Sequence, residues 1–335
     1  MTDTERPAPH TVAAARVFPD PLLDPADPRL RHRIRQWDGG AADAVLLGVP
    51  CDDGVALNKG RIGAAAGPAT IRRAIDRFGT TYDSGHDVDF DHLRLADAGD
   101  VVVAPGGDIA TTHDHITAAA TAVLKAGAIP LVLGGGNDAS FAGVRALHTL
   151  GGRVGVINID AHFDVREVID GRLHSGTPYR RVLEELGVPG RHLVQFAFHP
   201  HVNSRAHTQW LKDRGARLHS LAEVQAEGAG LLLAAEFDHL ANDPAGGCDH
   251  LFVSIDVDVF AAAFAPGVSA PGTVGLTPEQ GQALAYRAGR HPRVRWFELM
   301  EFNPTYDQDD RTARLCVMLL ASFLAGVATR DGVAG

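Results

Sequence analysis

Apolar residues cluster along this chain in short β-rich runs, separated by longer segments with helical periodicity. Residues 44–49, 95–103, 129–133, 154–159, 192–198, 251–255 and 294–299 read as strands. Between them the pattern predicts a helix opened by Pro68 and running through 71–75, then helices at 111–126, 139–150, 178–186, 207–214, 221–239, 278–288 and 315–328. Proline suits a helix's first turn, where an N–H would lack a partner anyway. Runs of Val, Ile and Leu alternating with helices need cover on both faces. They predict an α/β fold of three layers, α/β/α, around a mainly parallel sheet. No repeat, charge block or flexible linker divides 36–335, which reads as a single domain. Residues 1–35, rich in Pro, Asp and Arg, read as a partly extended N-terminal segment without the apolar stretch of a secretory signal.

The pattern breaks where two strands end. Asp160-Ala161-His162-Phe163-Asp164 follows one run and Asp256-Val257-Asp258 another. Side chains at i and i+2 of an extended chain point the same way, so Asp160 shares a face with His162 and Asp256 with Asp258. Asp164 can return from the loop beyond. Carboxylates this close repel one another unless a cation neutralises them. A single Asp-x-Asp is ordinarily a turn or helix cap. Two clusters at the carboxyl ends of strands in one parallel sheet, where such sheets bind their ligands, favour metal instead. Four carboxylates and one imidazole suit two divalent ions sharing ligands. Oxygen-rich ligation favours Mn²⁺ over zinc, with nickel or cobalt as substitutes. Two such ions lower the pKa of a shared water enough to give hydroxide near neutral pH.

Composition removes several other readings. The net charge is −10, with no basic patch, which excludes nucleic acid as a partner. Cys51, Cys248 and Cys316 are far apart and form no CxxC pair. That argues against a disulfide framework or thiolate zinc site and fits a cytoplasmic location. The apolar stretch 315–328 is interrupted by Ser322 and Gly326 and falls short of the roughly 20 residues of a membrane span, so it reads as a buried helix. The triplet Gly134-Gly135-Gly136 lacks the spacing of a phosphate-binding loop and reads as a tight turn exposing residue 137. His113, His115, His199, His201 and His207 have no consistent ligand partners and read as surface or core histidines.

Four blocks then occur in order: Gly134-Gly135-Gly136-Asn137-Asp138, the Asp-Ala-His-Phe-Asp run, Ser254-Ile255-Asp256-Val257-Asp258, and Glu298 through Pro304. They resemble the signatures of the ureohydrolase superfamily of arginase, agmatinase and formiminoglutamase, over about residues 48–320. The similarity is greatest to formiminoglutamase. Asp53-Gly54-Val55 with 58–64, Asp164-Val165-Arg166 with 175–179, 265–271 and 303–314 carry that preference.

The resemblance implies an arginase-like fold, a homo-oligomer and two Mn²⁺ ions. It implies that N-formimino-L-glutamate, an intermediate of histidine degradation, is hydrolysed to glutamate and formamide. It gives Asp160, Asp164 and Asp256 to both ions and His162 and Asp258 mainly to the second. Asp164 would also pass a proton to the leaving nitrogen, and Glu301 would hold the cationic formimino group. The substrate's two carboxylates need cations, for which Arg166 is the first candidate and Arg61 and Arg172 follow. Ser175 and Gly176, on a stretch that resembles the substrate-side loop of formiminoglutamase, join them as substrate-binding candidates; they stand where arginases and agmatinases have His-Gly, and His174 is one position out of register.

One residue departs from the pattern. Where the superfamily has a histidine on the first metal, this chain has Asn137, a neutral and weaker ligand. It implies a loosely bound first ion, although Asn137 would also serve as a cap for the helix near Ala139. Glu298 reads as an anchor for its loop. The alternatives are another ureohydrolase acting on guanidinobutyrate, arginine or agmatine, and a catalytically silent relative that binds small molecules or serves as a subunit.

Overall fold

A computed structural model describes residues 7–14, 24 and 26–330. In chain order the elements begin with β1 (Thr11–Val12), α1 (Leu30–Arg33), β2 (Ile34–Gln36), β3 (Ala44–Gly48), α2 (Asp53–Leu57) and α3 (Gly67–Ile75). A small hairpin, β4 (Tyr82–Asp83) and β5 (Val88–Asp89), precedes β6 (Leu95–Val101), α4 (Ile109–Lys125), β7 (Ile129–Leu133) and α5 (Ser140–His148). Then come β8 (Val154–Ile159), α6 (Pro178–Glu184), β9 (Leu193–Phe198), α7 (Arg205–Asp213), β10 (Arg217–Ser220), α8 (Leu221–Glu227) and α9 (Ala229–Ala241). The chain closes through β11 (His250–Asp256), α10 (Pro278–Arg290), β12 (Val294–Met300) and α11 (Arg311–Ala328).

The main sheet runs β1-β6-β3-β7-β12-β11-β8-β9-β10, with β2 also paired to β6. Its pairings are parallel except that of β1, which lies antiparallel on β6. Alternate residues of each central strand enter two separate cores. Ile157, Ile159, Val253, Ile255 and Leu299 pack towards α3, α9, α10 and α11. Val154, Val156, Phe252 and Trp296 pack towards α4, α5 and α6. This is the expected three-layer arrangement. Acids on β6, out of place in a buried strand, are explained by Arg72, whose Nε lies 2.8 Å from Asp97 Oδ2 and which also pairs with Asp100.

Four departures from the sequence reading have local causes. Gly228, at φ 89°, breaks the predicted helix 221–239 into α8 and α9. Strand β10 was not predicted, because Arg-Leu-His-Ser has only one apolar residue. Helix α11 begins four residues early, with a polar first turn. Within the Gly-rich loop, Asp53–Leu57 closes into a short helix. That helix ends in a Schellman motif, with Lys59 N–H on Ala56 O (3.0 Å) and Gly60 N–H on Val55 O (2.9 Å). Lys59 takes the left-handed position at φ 62°, which glycine usually fills and which costs another residue roughly 1 kcal/mol.

By length and composition α11 could cross a membrane, yet 72% of it is buried in the fold. It packs on α10 through two glycines: a Cβ on Gly289 would lie 2.0 Å from Phe323 O, and one on Gly326 would lie 2.3 Å from Tyr286 O. Backbone on both sides leaves nothing that can yield cheaply. Gly289→Ala should therefore lower the unfolding free energy by about 2–3 kcal/mol in denaturant titrations, and an unchanged midpoint would show that the two helices are not in this contact.

Candidate active site

Register delivers the site. Leu133 pairs with Leu299, Leu299 with Ile255 and Ile255 with Ile159, forming one row across β7, β12, β11 and β8. Beyond that row the four strands release Gly134, Met300, Asp256 and Asp160 together. The segments bearing Asn137, Glu301, Asp258 and Asp164 follow at the same edge. Asp160 Oδ1 accepts the N–H of His162 (2.7 Å) and Asp256 Oδ1 that of Asp258 (3.0 Å). Each first aspartate therefore shapes the turn that presents the next ligand, so the turn and metal readings of these residues are compatible. Asp164 and Glu301 hold left-handed backbones, φ 48° and 63°. Strain of this kind persists where the surrounding structure enforces it, commonly at functional sites.

Oxygens of Asp160, Asp164 and Asp256 lie within 4.8 Å of one another, and so do ligand atoms of Asp160, His162 and Asp258. Asp160 belongs to both triads. Burial, followed by the charge of Asp258, pushes the Asp160 carboxyl up to about 6. Asp164, Asp256 and Glu301 rise well above the usual carboxylate range, again through burial first and neighbouring acids next. His162 Nδ1 sits 3.1 Å from Asp258 Oδ2 and 3.5 Å from Asp160 Oδ1, and the Asp258 charge drives its pKa up to about 12. Asp258 Oδ1 is buried with no hydrogen-bond partner. These residues fit divalent cations: hard oxygen donors, one imidazole, an orphan oxygen and an excess of buried negative charge.

Asn137 is fully buried among them. Its Nδ2 faces Asp164 Oδ2 at 2.8 Å and Asp160 Oδ2 at 3.4 Å, its N–H donates to Glu301 Oε1 (2.9 Å), and its Oδ1 lies 2.7 Å from Ser140 Oγ. The side chain makes no capping bond to the helix that follows. A half-turn of the amide would present Oδ1 to the acids and let Nδ2 donate to Ser140 Oγ, whose own proton already reaches Glu298. Glu298 also accepts from Trp296 Nε1 (2.7 Å), and burial pushes it up to about 7, so it supports the centre from the protein side. His113, read as a core or surface residue, is buried and braces Asp138 at 3.0 Å.

A cleft of about 290 Å³ opens over the acids, lined also by Asn58, Lys59, Arg61, Arg166, Ser175 and Ser269. Arg166 Nη1 donates to Asn58 Oδ1 (2.8 Å), and Asn58 Nδ2 donates to Ser175 Oγ (3.0 Å). Gly176 O accepts the Arg166 N–H at 2.8 Å and so seats that arginine without lining the cleft. Arg61 is largely committed: Nε donates to Ser269 O (3.0 Å), another nitrogen donates to Val268 O, and the guanidinium lies 3.8 Å over the Tyr306 ring. Arg172 is exposed on the loop beyond Ile169 and does not line the cleft. Sequence reasoning did not single out Asn58, Lys59 or Ser269 as site residues, although all three lie in segments that carried the resemblance.

Acids and a histidine gathered at the carboxyl edge of a parallel three-layer sheet define a metal-dependent hydrolase of the α/β class. The chain belongs to the arginase family, whose model matches residues 42–326. A formimidoylglutamase of Halobacterium salinarum is 38% identical over 296 residues, covering 86% of this chain and 89% of that one. A Trypanosoma cruzi formiminoglutamase structure with Mn²⁺ superposes with a TM-score of 0.83 at 37% identity, covering 91% of this chain and 100% of that one. The formimidoylglutamase of Bacillus subtilis superposes with a TM-score of 0.85 at 28% identity, covering 94% and 97%.

The charge excess has a measurable consequence. Raised carboxylates stabilise the metal-free fold in full below their ordinary value of 3.8, and that contribution is lost as pH climbs through about 6 for Asp160 and through the raised values of its neighbours. The raised pKa of His162 contributes stability that is complete below 6.5 and lost as pH rises towards 12. Both trends run the same way. Chelator-treated protein should therefore melt at a lower temperature at pH 8 than at pH 6, and Mn²⁺ should raise the melting point more at pH 8. Equal melting points of the stripped protein at the two pH values would contradict this picture.

Proposed function

We propose that this chain hydrolyses N-formimino-L-glutamate to L-glutamate and formamide. The observation that carries the reading is a cationic arm, Arg166 held by Asn58, which Ser175 anchors in turn, in the same cleft as a metal-fitting acid cluster and the buried carboxyl of Glu301. An amidine joined to a dicarboxylate presents the complementary charges in that order. The formimidoylglutamases among its relatives support the same assignment.

Asp160, Asp164 and Asp256 would hold one Mn²⁺ in company with Asn137, and Asp160, His162 and Asp258 the other. With both ions bound the centre supplies a hydroxide nucleophile near neutral pH. Water adds to the formimino carbon and the bond from that carbon to the glutamate nitrogen breaks, so the nitrogen must gain a proton. Asp164 faces the acid centre and is the group that delivers it. Glu301 aligns the amidinium by a charge-assisted hydrogen bond. Arg166 takes a carboxylate bidentately and disfavours agmatine, whose corresponding end is cationic. Asn137 offers one neutral amide oxygen in place of an imidazole, which leaves the first ion weakly held. The reading also takes 36–335 as one catalytic domain of a homo-oligomer, working in the cytoplasm, where its three buried free thiols suit a reducing medium.

A panel of formiminoglutamate, guanidinobutyrate, arginine and agmatine with added Mn²⁺ tests the proposal through formamide and urea release. Formiminoglutamate should exceed the others in kcat/KM by at least about a hundredfold. Urea release from a guanidino acid would transfer the assignment to another ureohydrolase activity, and no turnover of any of them would mark a silent relative. Asn137→His should tighten the first Mn²⁺ and raise activity at neutral pH. An unchanged metal content would refute the role given to Asn137.

A further inference from the structure

We propose that Lys59 is the second carboxylate-binding residue of the cleft, working with Arg166; this rests on the dicarboxylate substrate proposed above. Three cationic side chains line the walls: Lys59, Arg61 and Arg166. Arg61 is committed to the backbone of Val268 and Ser269 and to the Tyr306 ring. Arg166 spends one nitrogen on the neutral Asn58 and pairs with no carboxylate among the described residues. Lys59 likewise has no ion-pair partner among the described residues. In a cleft whose floor is crowded with acids, two cations are thus left facing solvent, and the substrate carries two carboxylates.

The backbone gives independent support. Lys59 occupies the C′ position of the Schellman motif that ends α2, with φ 62°. Glycine fits there without strain, so a lysine keeps its place at a cost to stability. The turn is held firmly. A Cβ on Gly60 would lie 2.6 Å from Ser269 Oγ and 2.7 Å from Val55 Cγ1, and the N–H of Arg61 donates to Ser269 Oγ (2.9 Å), tying the segment to the Ser269 wall. Asn58, one residue before Lys59, is the residue bonded to Arg166. One short loop therefore bears Lys59 and steadies Arg166, which fixes their relative placement. A cation at a helix C-terminus also complements the helix dipole. That purely structural role predicts lost stability in its absence, and no effect on substrate.

Lys59→Gly separates the two roles, because it removes the charge while relieving the backbone. With Mn²⁺ bound, KM for formiminoglutamate should rise about tenfold with kcat within twofold. L-glutamate binding, followed by calorimetry, should weaken by a similar factor. The melting temperature should equal or exceed that of the parent, and Lys59→Arg should restore most of the affinity. Two substrates with one carboxylate each, N-formimino-4-aminobutyrate and N-formimino-L-alanine, locate the contact: one of them should be insensitive to Lys59→Gly. A KM for formiminoglutamate that does not move, or moves equally for all three substrates, overturns the proposal while leaving the assigned reaction intact. Failure of the parent to hydrolyse formiminoglutamate, with glutamate binding still dependent on Lys59, overturns the reaction and retains the dicarboxylate site.

Discussion

Buried carboxylates repelling one another at the end of a parallel sheet set the terms for the rest of this structure. Asp160, Asp164, Asp256, Asp258 and Glu301 are brought together by strands that gain most of their stability from the apolar rows beneath. Without cations the protein answers the repulsion by holding protons and by drawing the His162 ring between Asp160 and Asp258. Divalent ions answer it better, because each neutralises several oxygens at once without taking them out of their ligand geometry. The same electrostatic pressure that makes the metal-free centre costly favours divalent cations there.

The sheet's role is to make that pressure unavoidable. A row of four apolar residues, Leu133, Leu299, Ile255 and Ile159, locks adjacent strands into register, and side chains on both faces bury those strands between helices. A slip of one residue in any strand would turn its ligand away from the centre and its apolar set away from the core. Three of the non-glycine residues with left-handed backbones, Asp164, Glu301 and Lys59, line the same cleft. Stability is thus given up at three positions that line the cleft.

The sequence is legible wherever one residue type has one physical use. Apolar runs such as 154–159 and 251–255 read as buried strands in this context, and carboxylate clusters at the ends of two strands of one sheet point to ligands. Legibility fails where conformation depends on partners distant in the chain. Strand β10, with one apolar residue in four, exists because β9 offers it an edge, and nothing in 221–239 says that Gly228 will turn left-handed. Arg61 and Arg172 look equivalent to Arg166 as charges, but contacts from Val268, Ser269 and Tyr306 occupy the first and the loop beyond Ile169 exposes the second. Lys59 was overlooked because its position in the cleft follows from a helix end within a stretch that reads as loop. Asn137 stands out in the sequence as the departure from the expected ligand pattern, and its burial puts its amide within reach of Asp160 and Asp164 and its N–H on Glu301.

Asp160 contributes to both ligand triads, and this makes it the residue on which the cation requirement can be judged. Equilibrium Mn²⁺ binding should therefore be measured on the intact chain and on Asp160→Asn, with metal content determined after dialysis. The account predicts two ions for the parent, one of them weaker, and loss or severe weakening of both in the variant. Two ions retained by Asp160→Asn, or none bound by the parent, would contradict the claim that shared cations relieve this acid cluster.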